Sequence, residues 1–251
     1  MSAYSALAAC YDIMNGDAAY EQYLSLLLSY LPKGNNTTVL DVGCGTGDLA
    51  IMLANCGFKT FALDLSLDML TVAAKKVEKA KKKPFFIQQD MREMKVPSPV
   101  NLIYSIYDSM NYLNNNAELV HTFTRIYDSL QEKGKFVFDL NSRHRYEDVY
   151  KDNTFIMEDV GVFLSWENNY NPKTHYCDFY LHIFLETPSG SGQYRRSFET
   201  QRQRYFPLQT VKKCLKQAGF QNIGVYADLE LTPLTKENEL FCDKYYFIAD
   251  K

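Results

Sequence analysis

Residues 39–50, VLDVGCGTGDLA, place three glycines in five positions directly behind an apolar run. A strand ending in such a cluster must turn sharply, and glycine's freedom at positive φ lets the turning backbone approach a ligand closely. The stretch therefore requires a strand–loop–helix unit. TVLDV reads as the buried strand, and DLAIMLANC as a helix with Leu49, Met52, Leu53 and Cys56 on one face. Gly57 is placed to stop that helix.

Three nucleotide loops compete for residues 43–47. A phosphate loop of the G-x-x-x-x-G-K-[ST] type is excluded, because no lysine follows Gly47. A dinucleotide fingerprint, G-x-G-x-x-G, needs glycine at position 48, where this chain has Asp48. A carboxylate at that helix N-terminus would repel a pyrophosphate. What remains is G-x-G-x-G with Asp41 two positions before the first glycine, a loop suited to a nucleoside whose charged tail is an amino acid.

Downstream the pattern alternates between strands and helices. KTFALD, PFFIQQD, VNLIYSIY and KFVFDLN read as further strands. Ser66 is placed to cap a helix with Leu67, Leu70, Ala74 and Val77 inward, and AELVHTFTRIYDSLQEKG reads as an amphipathic helix ending at Gly134. Before them, Asp17 is placed to cap a helix bearing Tyr20, Tyr23, Leu24, Leu27, Leu28 and Leu31. Such alternation implies right-handed βαβ units and a doubly wound, mostly parallel α/β sheet. It breaks between about Tyr146 and Phe206, where three aromatic-rich runs separated by Asn-Pro and Ser-Gly turns predict an antiparallel insertion of about three strands. A helix, PLQTVKKCLKQAG, and two strands, NIGVYAD and CDKYYFIAD, bring the sheet to seven. The expected organisation is a nucleoside-binding core with an N-terminal helical lid over 1–145, the insertion over 146–206, and a completing helix and strand pair over 207–251.

VLDVGCGTG resembles the first motif of the class I S-adenosylmethionine-dependent methyltransferases, and the likeness covers about residues 37–140 and the C-terminal helix and strands. It implies a Rossmann-like fold with S-adenosyl-L-methionine as cofactor, held by Asp41, Gly43, Cys44, Gly45, Gly47, Asp64, Leu65, Asp90 and Met91. In this reading Asp41 helps organise donors facing an ammonium group, and Asp64, ending the second strand, accepts both ribose hydroxyls. Asp90 and Met91, ending the third, meet the adenine amino group and ring. YDSMNYL after the fourth strand resembles a motif of small-molecule members, which puts Tyr107 and Asp108 opposite the methyl group. Tyr4, Tyr11 and Asp12 fall in a segment that folds over the cofactor in similar enzymes, where Tyr11 would face the sulfonium.

Neither an N/D-P-P-Y/F sequence after strand four nor a Pro-Cys pair is present, which disfavours amino-methylation of DNA bases and cytosine-C5 methylation. The net charge of −3 disfavours a nucleic-acid partner, since phosphate neutralisation dominates that affinity. The six cysteines are scattered without C-x-x-C spacing, arguing against zinc and a disulfide framework. With no basic residue before Lys33 and no apolar run of membrane length, the expected setting is cytoplasmic. The expected reaction is methyl transfer to N or O of a small molecule. An RNA or protein methyltransferase, a nicotinamide-dependent oxidoreductase and a non-catalytic binder are the alternatives. The insertion carries Arg195, Arg196, Arg202 and Arg204, of which Arg202 and Arg204 share one strand face and are candidates to grip an acceptor carboxylate or phosphate, the alternative being a solvent face of an edge strand. None of the four histidines, His175 and His182 among them, has an obvious carboxylate partner in sequence. Trp166 is a candidate for a pocket wall or subunit contact, and the insertion is a candidate homodimer contact.

Overall fold

The computed structural model describes residues 7–16, 19–32, 37–78, 80 and 82–251. Tyr4, and Asp17 as a helix cap, lie outside the described residues. In chain order the first half comprises α1 (Tyr11–Met14), α2 (Tyr20–Tyr30), β1 (Thr38–Val42), α3 (Asp48–Asn55), β2 (Lys59–Asp64), α4 (Leu67–Lys76), β3 (Phe85–Gln88), β4 (Val100–Ser105), α5 (Asn116–Ser129) and β5 (Leu130–Asn141). The second half comprises β6 (Thr154–Asp159), β7 (Val162–Asn171), β8 (Tyr176–Glu186), β9 (Tyr194–Arg204), α6 (Leu208–Ala218), β10 (Gln221–Tyr226) and β11 (Lys244–Asp250).

Seven strands form one sheet in the order β10-β11-β5-β4-β1-β2-β3. β1 to β5 run parallel, and β11 inserts antiparallel between β5 and β10. Alternate residues of each strand enter opposite cores: Leu40, Ile103, Phe136 and Phe138 on one face, Val39, Leu102, Tyr104 and Val137 on the other. The second face is covered by Tyr23, Leu26 and Leu27 of α2 with Leu49 and Leu53 of α3. This is the expected doubly wound sheet, and the strand order reverses between β1 and β4, where ligands of such sheets bind.

Three local expectations are corrected. The helix of residues 117–134 stops at Ser129, and the chain enters the sheet at Leu130, pairing with Val100. Gly134 marks the bend that follows: a Cβ there would lie 2.8 Å from the Gln131 carbonyl. In α4, capped by Ser66 as expected, the buried stripe is Met69, Leu70 and Ala73, continued by Val77, whereas Leu67 is 58% exposed and Ala74 faces solvent. Cys56, placed inward by the sequence, is exposed.

The insertion has four strands, not three, in an antiparallel sheet β6-β7-β8-β9. The strand missed is β6, joined to β7 by a tight turn at Val160–Gly161, with Gly161 at φ +71. Its inner face, Leu164, Cys177, Phe179, Leu181 and Ile183, merges with the apolar cluster of the seven-stranded sheet. The two sheets are thereby welded over the carboxyl ends of β4 and β5. No helix among the described residues is long and apolar enough to cross a membrane.

Candidate active site

The loop after β1 is built around its neighbours. The amides of Gly43 and Cys44 donate to the Leu63 carbonyl of β2, at 2.8 and 3.0 Å, and Gly45 N donates to Asp64 Oδ2 at 2.8 Å. Gly43, Gly45 and Gly47 all have positive φ. A Cβ on Gly43 would stand 2.7 Å from the Ser109 side chain, and one on Gly47 2.8 Å from the Phe86 ring. At Gly45 a Cβ would meet only a Tyr11 ring carbon, at 3.8 Å in ordinary contact, and this peptide borders open space.

That space is a cavity of about 560 Å³ over the strand ends, within the size range of small-molecule sites. Of the sequence candidates, Gly43, Gly45, Asp64, Leu65, Asp90, Met91, Tyr107, Asp108 and Tyr11 lie in its wall. Asp41, Cys44 and Gly47 do not; they shape the loop from behind. Asp64 keeps both oxygens fixed, Oδ2 by Gly45 N and Oδ1 by Ser66 N at 2.8 Å. Burial raises its carboxyl, and these backbone donors oppose the rise. Asp90 caps the turn after β3, and Arg92 grips its carboxylate at 2.6 Å, holding it below the usual range.

Asp41 is only 2% exposed. Burial raises its carboxyl from 3.8 to about 8, with the neighbouring Tyr104 hydroxyl opposing the rise. Between those values the folded protein retains a proton that the unfolded chain has released. Stability from this residue is therefore fully present below about pH 4 and is lost as pH rises through about 8, by up to about 1.4 kcal/mol per unit. Urea titrations between pH 5 and 8 should show this decline in the wild type and a flatter profile in Asp41→Asn. Equal slopes would remove the assignment.

At the end of β4 the chain does something rare. Tyr107 and Asp108 are consecutive non-glycine residues at φ 54 and 55, a left-handed conformation that costs free energy and needs support. The support is Asp139 of β5, fully buried, which accepts Tyr107 N at 2.8 Å, Asp108 N at 2.7 Å and the Tyr23 hydroxyl at 2.6 Å. Lys244, the first residue of β11, bridges Asp139 at 2.8 Å and Asp108 at 2.6 Å. Gln203 of β9 donates its amide to the other Asp108 oxygen, its own Oε1 being occupied by Tyr146 and Asn141. Burial pushes the Asp108 carboxyl up, but the Lys244 ammonium and the hydrogen bonds bring it below the usual range.

Neither Asp108 nor Asn111 caps the following turn. Asn111 instead donates to the Arg204 carbonyl and accepts Asn141 N. Asp139, Lys244 and Gln203 were not among the sequence candidates. The available signal was Asp139 inside the apolar run FVFDLN and Lys244 at the head of the apolar run KYYFIA; Gln203 carried none.

The N-terminal segment lies across the glycine loop. Asp12 accepts the Thr46 hydroxyl at 2.6 Å, and Lys76 joins Asp12 at 2.6 Å to Asp48 at 2.8 Å. Leu7 N donates to Glu199 Oε1 of β9 at 3.2 Å. Burial pushes the Tyr11 and Tyr107 hydroxyls up, that of Tyr107 to about 12.

Beyond Asp108 the cavity continues between apolar side chains of the insertion, Met157, Leu164, Trp166, Phe179 and Leu181. Trp166 is thus a wall residue. The four insertion arginines and His175 and His182 are not. Arg202 is engaged by Asp178, Arg204 by the Asn114 carbonyl and Arg196 by His182. Three of the four histidines do have carboxylate neighbours, from 3.0 to 3.6 Å: His121 with Glu93, His144 with Asp148 and His182 with Glu167.

Residues 39–134 match the family model described as a methyltransferase domain. A putative methyltransferase of Geobacillus sp. (strain WCH70) is 31% identical over 251 residues, 99% of each chain. The crystal structure of an S-adenosylmethionine-dependent methyltransferase from Clostridium acetobutylicum ATCC 824 is 26% identical, with a TM-score of 0.85 over 98% of both chains. The sugar N-methyltransferase KedS8 from Streptoalloteichus sp. ATCC 53650 shares the fold, with a TM-score of 0.71 at 18% identity over 96% of this chain and 92% of that one.

Proposed function

Since the chain belongs to the class I S-adenosylmethionine-dependent methyltransferases, we propose that it methylates a nitrogen or oxygen of a small molecule bound in the apolar half of the cavity. The observation that supports this reading is the apolar wall that the insertion gives to the cavity, Met157, Leu164, Trp166, Phe179 and Leu181, in a cavity of about 560 Å³ that suits a compact acceptor. Residues 146–206 are then the acceptor-side unit, and 1–145 with 207–251 the cofactor core and its covering segment.

The residues present fit the cofactor. Gly45 borders the cavity beside the Tyr11 ring, and Asp64 has lone pairs left on both fixed oxygens to accept the ribose hydroxyls. Leu65 and Met91, in the cavity wall, would supply apolar contacts to the adenine ring, and Asp90 would meet its amino group. Gly43, Gly47, Cys44 and Asp41 keep the loop in shape. When bound, the cofactor supplies an electrophilic methyl group on a sulfonium.

Tyr107, Asp108 and Tyr11 form the catalytic face of this proposal. The two hydroxyls keep their protons near neutrality, and both Asp108 oxygens are already accepting hydrogen bonds. None of the three is poised as a general base, which suits an acceptor that arrives neutral, such as an amine. Their contribution is alignment, which supplies roughly 7–11 kcal/mol of a displacement barrier in well-oriented cases. The test is incubation with methyl-tritiated S-adenosylmethionine and separate pools of small amines, small hydroxyl compounds, transfer RNA and protein. Label is expected in the amine pool; label only in RNA or protein would overturn the small-molecule reading.

A further inference from the structure

Asp108, Asp139 and Lys244 do not balance. Two carboxylates share one ammonium, at 2.6 and 2.8 Å, and the side chains are 20%, 0% and 18% exposed. Arg145, the next cation in the wall, pairs with Asp243 at 2.9 Å and reaches Asp108 only through its longer-range field. Tyr23, Tyr107 and Gln203, which complete the cluster, are neutral donors. The group therefore carries one surplus negative charge in a sheltered place, a costly arrangement unless a cation comes to it.

The cluster also stands where the two halves of the cavity meet. Tyr11 lies against Gly45, and both Asp64 and Asp108 act on its hydroxyl. On the other side, Gln203 ties Asp108 to the insertion that walls the apolar half. A methyl group passing from one half to the other must travel beside Asp108.

We infer that the Asp108–Lys244–Asp139 cluster is the counter-charge for the sulfonium, making this protein discriminate between the charged cofactor and its neutral product. The inference rests on the cofactor reading given above. In methyl transfer the acceptor's lone pair forms the new bond and the C–S bonding pair returns to sulfur, leaving an uncharged thioether. With a neutral amine acceptor the positive charge passes to the methylated nitrogen and departs with that product, so the surplus negative charge is satisfied before transfer and unsatisfied once only the thioether remains. The cluster thus strengthens cofactor binding and weakens product binding with the same residues.

The experiment is calorimetric titration with S-adenosylmethionine and S-adenosylhomocysteine, read as the ratio of the two dissociation constants. Asp108→Asn should shift that ratio roughly tenfold toward the thioether, because a unit charge is removed from a partly buried pair. Asp108→Ala, which turns no amide NH₂ toward Lys244, should do the same. On the wild type, 5′-dimethylsulfonio-5′-deoxyadenosine should bind about tenfold more tightly than 5′-methylthioadenosine, a comparison that depends on no variant folding. A ratio unchanged in both variants, or affinities that fall in parallel because the cluster serves the α-ammonium common to both ligands, would overturn the inference. Equal wild-type affinities for the two truncated nucleosides would also overturn it. If neither S-adenosylmethionine nor S-adenosylhomocysteine binds the wild type, the cofactor reading itself falls.

Discussion

Asp64→Ala is expected to weaken binding of S-adenosylmethionine and S-adenosylhomocysteine by at least about 100-fold in calorimetric titration. Two effects add. The carboxylate would accept two ribose hydroxyls, and hydrogen bonds to a charged group are worth about 1.5–3 kcal/mol each, so losing both costs about 3 kcal/mol or more, which is that factor in affinity. It is also the acceptor for Gly45 N and Ser66 N, so alanine releases the glycine loop and the start of α4 together. Because α4 retains its Ser66 cap and its buried stripe, the fold should survive, and circular dichroism should match the wild type. A change below about fivefold in a folded variant would show that the ligand does not rest on this residue.

The second large effect is on stability. Asp139→Ala is expected to lower the thermal midpoint by about 10 °C or more in scanning calorimetry. The substitution removes the acceptor of four donors at once: two strained backbone amides, the Tyr23 hydroxyl and the Lys244 ammonium. Breaking a buried pair by deleting one partner costs about 3–5 kcal/mol, and each kcal/mol moves the midpoint of a domain this size by about 2–4 °C. Without that carboxylate, the Tyr107 and Asp108 amides lose the acceptor that holds both at positive φ. A shift under about 3 °C would mean that this turn is supported by something other than Asp139.

The parts of this molecule legible in its sequence are those written in adjacent residues. The glycine loop announces itself because a strand, a sharp turn and a helix must follow one another within a dozen positions. Asp64 and Asp90 were found by the rule that ligands sit at the ends of parallel strands, which needs only the strands to be located. β6 was missed because TFIMED is short and its turn, Val160–Gly161, carries little of the Asn, Pro or Ser punctuation that separates the other three. The end of α5 was misplaced because DSLQEKG continues a helical pattern, while the pairing of Leu130 with Val100 and the tight fit of Gly134 are decided by the sheet.

The charged cluster was least visible of all. Lys244 meets Asp108 across 136 residues of chain and Asp139 across 105. Local periodicity does not contain such a meeting; it follows only once β11 is known to lie beside β5. What the sequence does show is an ionisable residue where a strand's pattern calls for an apolar one, and both Asp139 and Lys244 are of that kind.

The segment lying over the glycine loop has a kinetic meaning. It is pinned by Asp12 to Thr46 and Lys76, and by the Leu7 amide to Glu199, and through these it spans from the parallel sheet to the insertion. Ion pairs with part of their surface in water are worth at most about 1 kcal/mol and weaken with salt. Leu7 and Cys10 add apolar burial in the main core, and none of these fastenings shares an atom with the Asp108–Lys244–Asp139 cluster. If the segment covers bound ligand and the cluster discriminates its charge, the two tasks rest on separate parts of the chain, and a substitution at Asp12 or Lys76 should change ligand exchange rates without changing the ratio of the two affinities.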